Sequence, residues 1–544
     1  MSLLGTLDFI LEAPILLLAS AAACAYVVVG AIYRLHFSPV ATFPGPRLAA
    51  LTYWYEFYYD VIRKGSYTWR IQDLHDKYGP VVRINPQEIH VNDAAFYDSV
   101  YVGSSRRTEK WNYSARMFGT SLAAVGTTGH DLHRLRRSGL NVFFSKRSIS
   151  KLEPTVQKVV DEASARLESC GAACHVLNLR DFFAAFSADV IGEVAFGSRY
   201  GLLHKEDFEP GWQRLMMDLS RATHLMKQFP WAYGILNSIP QTAVSLLHPL
   251  TKRLFDIRND IRLRVEQTRL AVSGISSKVH TASYLGAVDH PTVLHSLLTV
   301  TNLPSPELET PRLEDEAFTL LGAGTITTAH TLTTILYHIL SKATIKSRLE
   351  DELSQLGLAT ADDSSKSKWT QLEKAPYLAA IVSEGLRLSF GVSHRLPRIS
   401  PDTALHFNGK LNEKEYEYTI PPGVPVSMTS MFIHLDPTIY TSPQDFDPAR
   451  WLTSPNDSEE RQAQLQRMKH YLVPFSRGTR ICVGMNLAYA EFYLMLGALF
   501  SPDGVGTRME LFETGKEDVE CMHDFFNPSP RLDSKGVRVV LKTT

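Results

Sequence analysis

The chain has 544 residues, 44% of them hydrophobic, and a formal net charge of −1. A balance so near neutral excludes a protein that holds nucleic acid by bulk charge, and the length supplies a large core. Five cysteines, at 24, 170, 174, 482 and 521, are too few and too irregular for a disulfide framework. They suit a reducing compartment, where a lone cysteine serves as ligand or nucleophile.

From Ala13 to Tyr33, APILLLASAAACAYVVVGAIY, no residue is charged, and about twenty such residues cross a bilayer as a helix. A cleaved signal peptide is the rival reading, but it wants a basic start, and Asp8 and Glu12 precede this run instead. Arg34 and Arg47 follow it, which assigns the bulk of the chain to the cytosolic side. Residues 1–36 therefore read as a single membrane anchor. The stretch FPGPR, Phe43 to Arg47, marks a Pro-rich hinge over 37–50, because two prolines around a glycine cannot continue a helix. Residues 51–544 read as one body.

Within the body, EPTVQKVVDEASARLESC and RLFDIRNDIRLRVEQTRLAV carry apolar residues at helical spacing with charges between them. Short strand-like runs lie in GPVVRINPQEIHVN, EYEYTIPPGVPVSM and GVRVVLK. Residues 274–309 and 355–372 are polar or rich in Ser, Pro and Gly and read as surface loops. The class is mainly α with small β-sheets. One apolar helical stretch contains GAGTITTAHT, Gly322 to Thr331, whose glycines and threonines weaken a helix interior and let it bend.

The most informative stretch is FSRGTRICVG, Phe475 to Gly484. Gly478 and Gly484 allow a tight turn and close approach to something flat. Arg477 and Arg480 bring positive charge, and the apolar run MNLAYAEFYLMLGALF begins a helix just after Cys482. A cysteine so placed is expected to have a lowered thiol pKa. Thiolate beside arginine suits a metal whose macrocycle carries carboxylates.

The pattern F-x-x-G-x-R-x-C-x-G, at Phe475, Gly478, Arg480, Cys482 and Gly484, resembles the haem-binding signature of the cytochromes P-450, and Leu487, Ala488 and Glu491 match what usually follows it. The resemblance covers nearly the whole chain and is greatest to fungal microsomal members of the trichodiene-oxygenase type. It implies the cytochrome P-450 fold behind a single transmembrane helix, with haem b as cofactor and Cys482 as axial ligand of the iron. Glu384 and Arg387 in EGLR, with Arg450 in FDPARW, match a structural network that supports the haem loop. In HDLHRLRR, His133 stands where the family has a tryptophan and Arg137 where it has an arginine, both holding a haem carboxylate. Ala323, Gly324, Thr327 and Thr328 match the oxygen-side A-G-x-(D/E)-T-T stretch, with Thr327 a proton donor or relay for O–O cleavage. Ile326 departs from it, since an acid usually stands there, and His330 could assist but reads more simply as a core histidine.

By the same resemblance, substrate contacts fall at 111–126, 211–235, Leu320, Ala323, the LSFGVS stretch after Arg387, and 525–527. The implied activity is insertion of oxygen from dioxygen into a hydrophobic small molecule, a terpenoid or other fungal secondary metabolite. Electrons come from NADPH through a separate flavoprotein reductase, with cytochrome b5 as a second donor, and the site is the endoplasmic reticulum membrane. Arg134, Arg136, Arg467, Lys469 and Arg477 offer a basic docking face for the reductase. Isomerisation, dehydration or peroxide-dependent chemistry on the same haem is the alternative that Ile326 keeps open. A non-catalytic haem sensor is the third reading.

Overall fold

The computed structural model describes residues 3–171, 176–238, 249–273, 290–299, 303–357, 367–411 and 413–542. Cys174 and most of the two expected loops, 274–309 and 355–372, lie outside them. Where those loops are described, short helices replace them at Val293–Thr299 and Lys368–Glu373, because Leu294, Leu297, Trp369 and Leu372 are all buried in the core.

Eight helices position the site, behind a ninth at the N-terminus. They are α1 (Leu3–Ile32), α2 (His130–Phe143), α3 (Lys146–Gly171), α4 (Leu179–Phe196), α5 (Pro210–Gln228), α6 (Pro249–Val272), α7 (Thr310–Ser341), α8 (Pro376–Ser389) and α9 (Met485–Phe500). The helix α1 stands off the body: the apolar stretch Leu17–Phe37 is long enough to cross a membrane and none of it is buried against protein. The FPGPR segment, by contrast, is docked. Phe43 is buried and Arg83 N donates to Pro44 O at 2.7 Å.

The rod at the centre is α7, which packs on α4, α5, α6, α8 and α9, most extensively on α4. Residues of α4 are apolar nearly all round, the pattern of a helix enclosed on every side. Its ends are well defined: the Asn178 side chain accepts from Arg180 N at 3.1 Å, and Gly197 closes the helix in the left-handed region. The N-terminus of α8 is capped from outside, since Glu352 accepts from Tyr377 N at 2.8 Å and Leu378 N at 2.9 Å.

The sheets are small. The runs singled out in the sequence form Val81–Arg83 paired with Ile89–Val91, the hairpin strand Lys414–Ile420, Pro425–Ser427, and Arg538–Leu541. The largest sheet has five strands and brings Arg398–Ile399 beside Glu109–Lys110, segments nearly three hundred residues apart in sequence.

One buried polar network ties α8 to the C-terminal third. Arg387 donates two bonds to Glu384, Nε to Oε2 at 2.9 Å and Nη2 to Oε1 at 2.7 Å. Arg450 Nε adds a bond to Oε1 at 3.0 Å and Trp451 Nε1 one to Oε2 at 2.8 Å. Arg387 O accepts from His434 Nδ1 at 3.0 Å, and Val473 N donates to His434 Nε2 at 2.9 Å. The imidazole is therefore a neutral bridge from the network to the chain that leads into the cysteine loop.

Burial, then the Arg387 charge, pushes the His434 pKa down to about 3; burial likewise holds His338 near 3 and His330 and His75 near 4. These histidines are neutral in the folded chain but titrate near 6.5 when unfolded, so their contribution is complete above that value. It is lost as pH falls from 6.5 toward 3. Thermal melting at about pH 5 should fall below that at about pH 7.5 by several degrees; equal or higher melting in acid would contradict this.

Candidate active site

The cysteine loop is a tight turn built on one glycine. Gly478 has φ +76, and a Cβ there would stand 2.2 Å from Val102 O, so no side chain fits. Thr479 N donates to the same Val102 O at 3.1 Å, and Cys482 N closes the turn on Phe475 O at 3.0 Å. The Phe475 ring packs on Tyr489 of α9 at 5.3 Å.

Cys482 therefore sits three residues before α9, and its sulfur accepts from the backbone N–H groups of Gly484 and Met485. Its side chain is exposed, though protein surrounds it: it opens on a space within the body. Burial is the largest influence and raises the thiol pKa, against which Gly484 N–H, the Arg137 charge and Met485 N–H work to lower it. The expected lowering is thus present but outweighed. The responsible arginine is Arg137, whereas Arg477 points away and pairs with Asp98 at 2.7 Å.

Around this space stands a set of cations without counter-ions. Arg480 Nη1 and Nη2 donate to Thr127 O and Thr128 O, both at 2.7 Å, and Lys110 Nζ donates to Val125 O at 2.6 Å. Arg137 Nε donates to Asn141 Oδ1 at 2.6 Å, and the Arg398 guanidinium lies over the Tyr101 ring. Among the described residues none of these four forms an ion pair, and Arg480 Nε is buried with no protein partner.

Their mutual effect is large. Burial and then Arg398 push Arg480 down to about 9, and burial with Arg398 and Arg480 puts Lys110 well below its ordinary range. His133 is buried and pushed to about 2, by burial first and then by Arg480, Arg137, Lys110 and Arg398. Such a set wants a ligand with two negative charges, and the carboxylates of haem fit it. Lys110 and Arg398 escaped the sequence reading. Each lies alone on a two-residue strand, and only the sheet pairing Lys110↔Arg398 brings them together.

On α7 the threonine-rich stretch divides by face. Ala323 is exposed and Thr327 half-exposed, with Oγ1 donating to Ala323 O at 2.8 Å. Thr328 is buried in the core. Gly324 faces α4, where a Cβ would meet Ile191 Cγ1 at 3.0 Å, so its smallness serves the packing of two helices. The helix runs unbroken from Thr310 to Ser341, and hydroxyls of Thr325, Thr327, Thr333 and Thr334 bond the carbonyls four residues back.

Ile326 and His330 line a narrow cavity between α4, α5 and α7 with Arg180, Met216 and Asp518. His330 also bonds the Ser389 backbone, the arrangement of a satisfied core histidine. Of the five residues proposed as a basic face, Arg134, Arg467 and Lys469 are exposed. Arg136 is not: it is buried and paired with Glu307 at 2.7 Å, a carboxylate it shares with Arg312 Nε at 2.9 Å.

A thiol-bearing turn at a helix N-terminus, with a set of cations lacking counter-ions around it, is the arrangement that a haem-thiolate site requires. Residues 45–502 match the family model for Cytochrome P-450, and the chain belongs to that family. It is 42% identical over 512 residues to a tryptophan 6-hydroxylase of Fusarium equiseti, covering 94% of each chain. It is also 38% identical over 539 residues to an N-acetyltryptophan 6-hydroxylase of Emericella nidulans, covering 99% of each. To a fusicoccadiene C-8 hydroxylase of Alternaria brassicicola it is 37% identical over 516 residues, covering 94% of this chain and 93% of the other. The protein is a monooxygenase with a haem-iron cofactor.

Removing one cation of the ring should loosen the haem. Arg480→Leu or Lys110→Met is expected to speed haem transfer to an acceptor globin by roughly ten- to hundredfold, since a charge-assisted bond is worth about 1.5–3 kcal/mol. Transfer at the wild-type rate in both variants would contradict the assignment.

Proposed function

We propose that the chain hydroxylates or epoxidises a hydrophobic fungal secondary metabolite at a haem held by Cys482, Phe475, Gly478, Arg480 and Gly484. Lys110, His133, Arg137 and Arg398 join Arg480 on its carboxylates. The observation that carries this reading is the ring of unpaired cations around the space onto which Cys482 opens. Bound haem supplies the activation of dioxygen and the transfer of one oxygen atom to a C–H or C=C bond.

The chain's own residues do the rest. Gly484 N–H, Met485 N–H and Arg137 favour the thiolate against the effect of burial. Ala323 keeps the α7 face low, and Gly324 holds that face in place against α4. The Thr327 hydroxyl, its hydrogen on Ala323 O, keeps lone pairs toward the interior and relays a proton by rotating off that carbonyl. Glu384, Arg387 and Arg450 act structurally, through His434, on the loop that carries Cys482.

Electrons come from NADPH through a separate flavoprotein reductase, with cytochrome b5 as a second donor, docked near the exposed Arg134, Arg467 and Lys469. Residues 1–36 form a single-pass anchor in the endoplasmic reticulum membrane and 37–50 a Pro-rich connection. Residues 51–544 are the cytosolic catalytic body. The named relatives act on tryptophan, N-acetyltryptophan and fusicoccadiene, which supports an aromatic or terpenoid substrate. A second reading, isomerisation, dehydration or peroxide chemistry on the same haem, is favoured by Ile326, whose apolar side chain cannot carry protons from the cavity it lines.

The test is a mass-spectrometric screen of the full-length chain with a fungal reductase against terpene and indole scaffolds under isotopic dioxygen. A product carrying one labelled oxygen is expected, and unlabelled products would favour the second reading. With a substrate in hand, Thr327→Val should cut product formation roughly 10²-fold while NADPH is still consumed. Ile326→Glu should raise the fraction of NADPH that yields product. An unchanged yield in both variants would contradict the proton route.

A further inference from the structure

A second buried cluster lies away from the cysteine loop, at the tip of the hairpin formed by His523–Phe525 and Asn527–Ser529. Phe526 occupies the tip with φ +72, a left-handed conformation that is costly for a bulky residue and persists only where its surroundings impose it.

The surroundings do so through Asp524, which is fully buried. Its Oδ1 accepts from Phe526 N at 3.0 Å and from Ser393 Oγ at 2.9 Å; its Oδ2 accepts from His394 Nδ1 at 2.9 Å and Thr68 Oγ1 at 2.5 Å. His224 Nε2 of α5 donates to Asp524 O at 2.7 Å, and Asp524 N donates to Gly65 O at 2.8 Å. Phe526 O is held in turn by Ser393 N at 3.1 Å and His394 N at 3.3 Å.

His224, His394 and Asp524 are close enough to suggest a metal centre. However, both carboxylate oxygens are filled by N–H and O–H donors, and the buried Lys227 ammonium stands beside His224 through Asp60. The cluster is built to hold a hairpin.

What the hairpin presents is the Phe526 ring, edge-on to Phe118 with centroids 4.9 Å apart and planes at 87°. Phe118 in turn lies under Lys110 Nζ, 4.8 Å from its ring centre, so this aromatic pair adjoins the cation ring of the haem site. Both rings are half-exposed although the backbones around them are tied down.

We propose that Asp524 is a positioning residue for substrate selection, locking the tip so that Phe526 and Phe118 form a fixed aromatic wall against which a planar ring system packs. This rests on the haem reading above. The position of the wall is then set from outside the pocket, by segments as distant as Thr68, His224 and Ser393.

The full-length holoprotein tests it by titration with imidazole and 4-phenylimidazole, read as the Soret shift on coordination. Imidazole reports the iron alone, and the phenyl group reports the wall. Asp524→Asn should weaken 4-phenylimidazole relative to imidazole by about tenfold, Phe526→Ala by a similar factor, and the double variant no further. Ser393→Ala, which removes one donor to the carboxylate, should give a smaller shift in the same direction and serves if Asp524→Asn does not fold. A wild-type ratio in Asp524→Asn, or in Ser393→Ala where that variant stands in, would overturn the proposal, as would an unchanged ratio in Phe526→Ala. A wild-type chain with no Soret band would overturn the haem reading itself.

Discussion

Four groups converge as donors on one buried carboxylate, Glu384: two guanidinium groups, an indole N–H and the Asp447 backbone N–H. Burying so many charges is costly, and it is tolerated because every lone pair of the acid and most donors of the arginines are satisfied. The remaining Arg387 donors reach His434 O and Asp445 O, both at 2.9 Å, and Pro443 O, so the chain between α8 and the cysteine loop has its path fixed by hydrogen bonds. His434 then passes that position on to Val473, two residues before the start of the Phe475–Gly484 turn. The location of one sulfur atom follows from an ion network that never touches it.

The charge at the site obeys the opposite rule. Lys110, Arg137, Arg398 and Arg480 are enclosed without acids, and their carbonyl partners solvate but do not neutralise them. Enclosed positive charges of this kind call for an anion, and the carboxylates of a dicarboxylate macrocycle match them. The thiol behaves consistently. Burial raises its pKa while the helix N-terminus and Arg137 lower it, a balance that a metal cation tips to thiolate on binding.

Much of this was legible in the sequence because it is local. The cysteine turn, the Glu384–Arg387 pair one helical turn apart, the threonine stretch and the apolar N-terminal run each sit within a short window, where spacing alone fixes geometry. The mainly helical class followed from periodicity for the same reason. What could not be read depends on distant pairing. Lys110 meets Arg398 only through a two-residue strand contact, and Asp524 gathers Gly65, Thr68, His224, Ser393 and His394 from across the chain. Arg136 looked like surface until Glu307 closed over it. Gly324 is small for the sake of Ile191 on another helix, which no stretch of α7 by itself discloses.

Two arrangements bear on the cysteine turn: the Glu384 network, which reaches it through His434, and the cations without counter-ions. Of these, the first bears the central claim, that His434 transmits the buried network to the thiolate. The absorption spectrum of the reduced carbon monoxide complex reads the axial ligand directly. Wild-type chain should show the thiolate-type Soret band, and His434→Leu, which leaves Arg387 O and Val473 N without their partner, should shift most of that intensity to the neutral-thiol form. A full thiolate band in His434→Leu, or none in the wild type, would contradict the account.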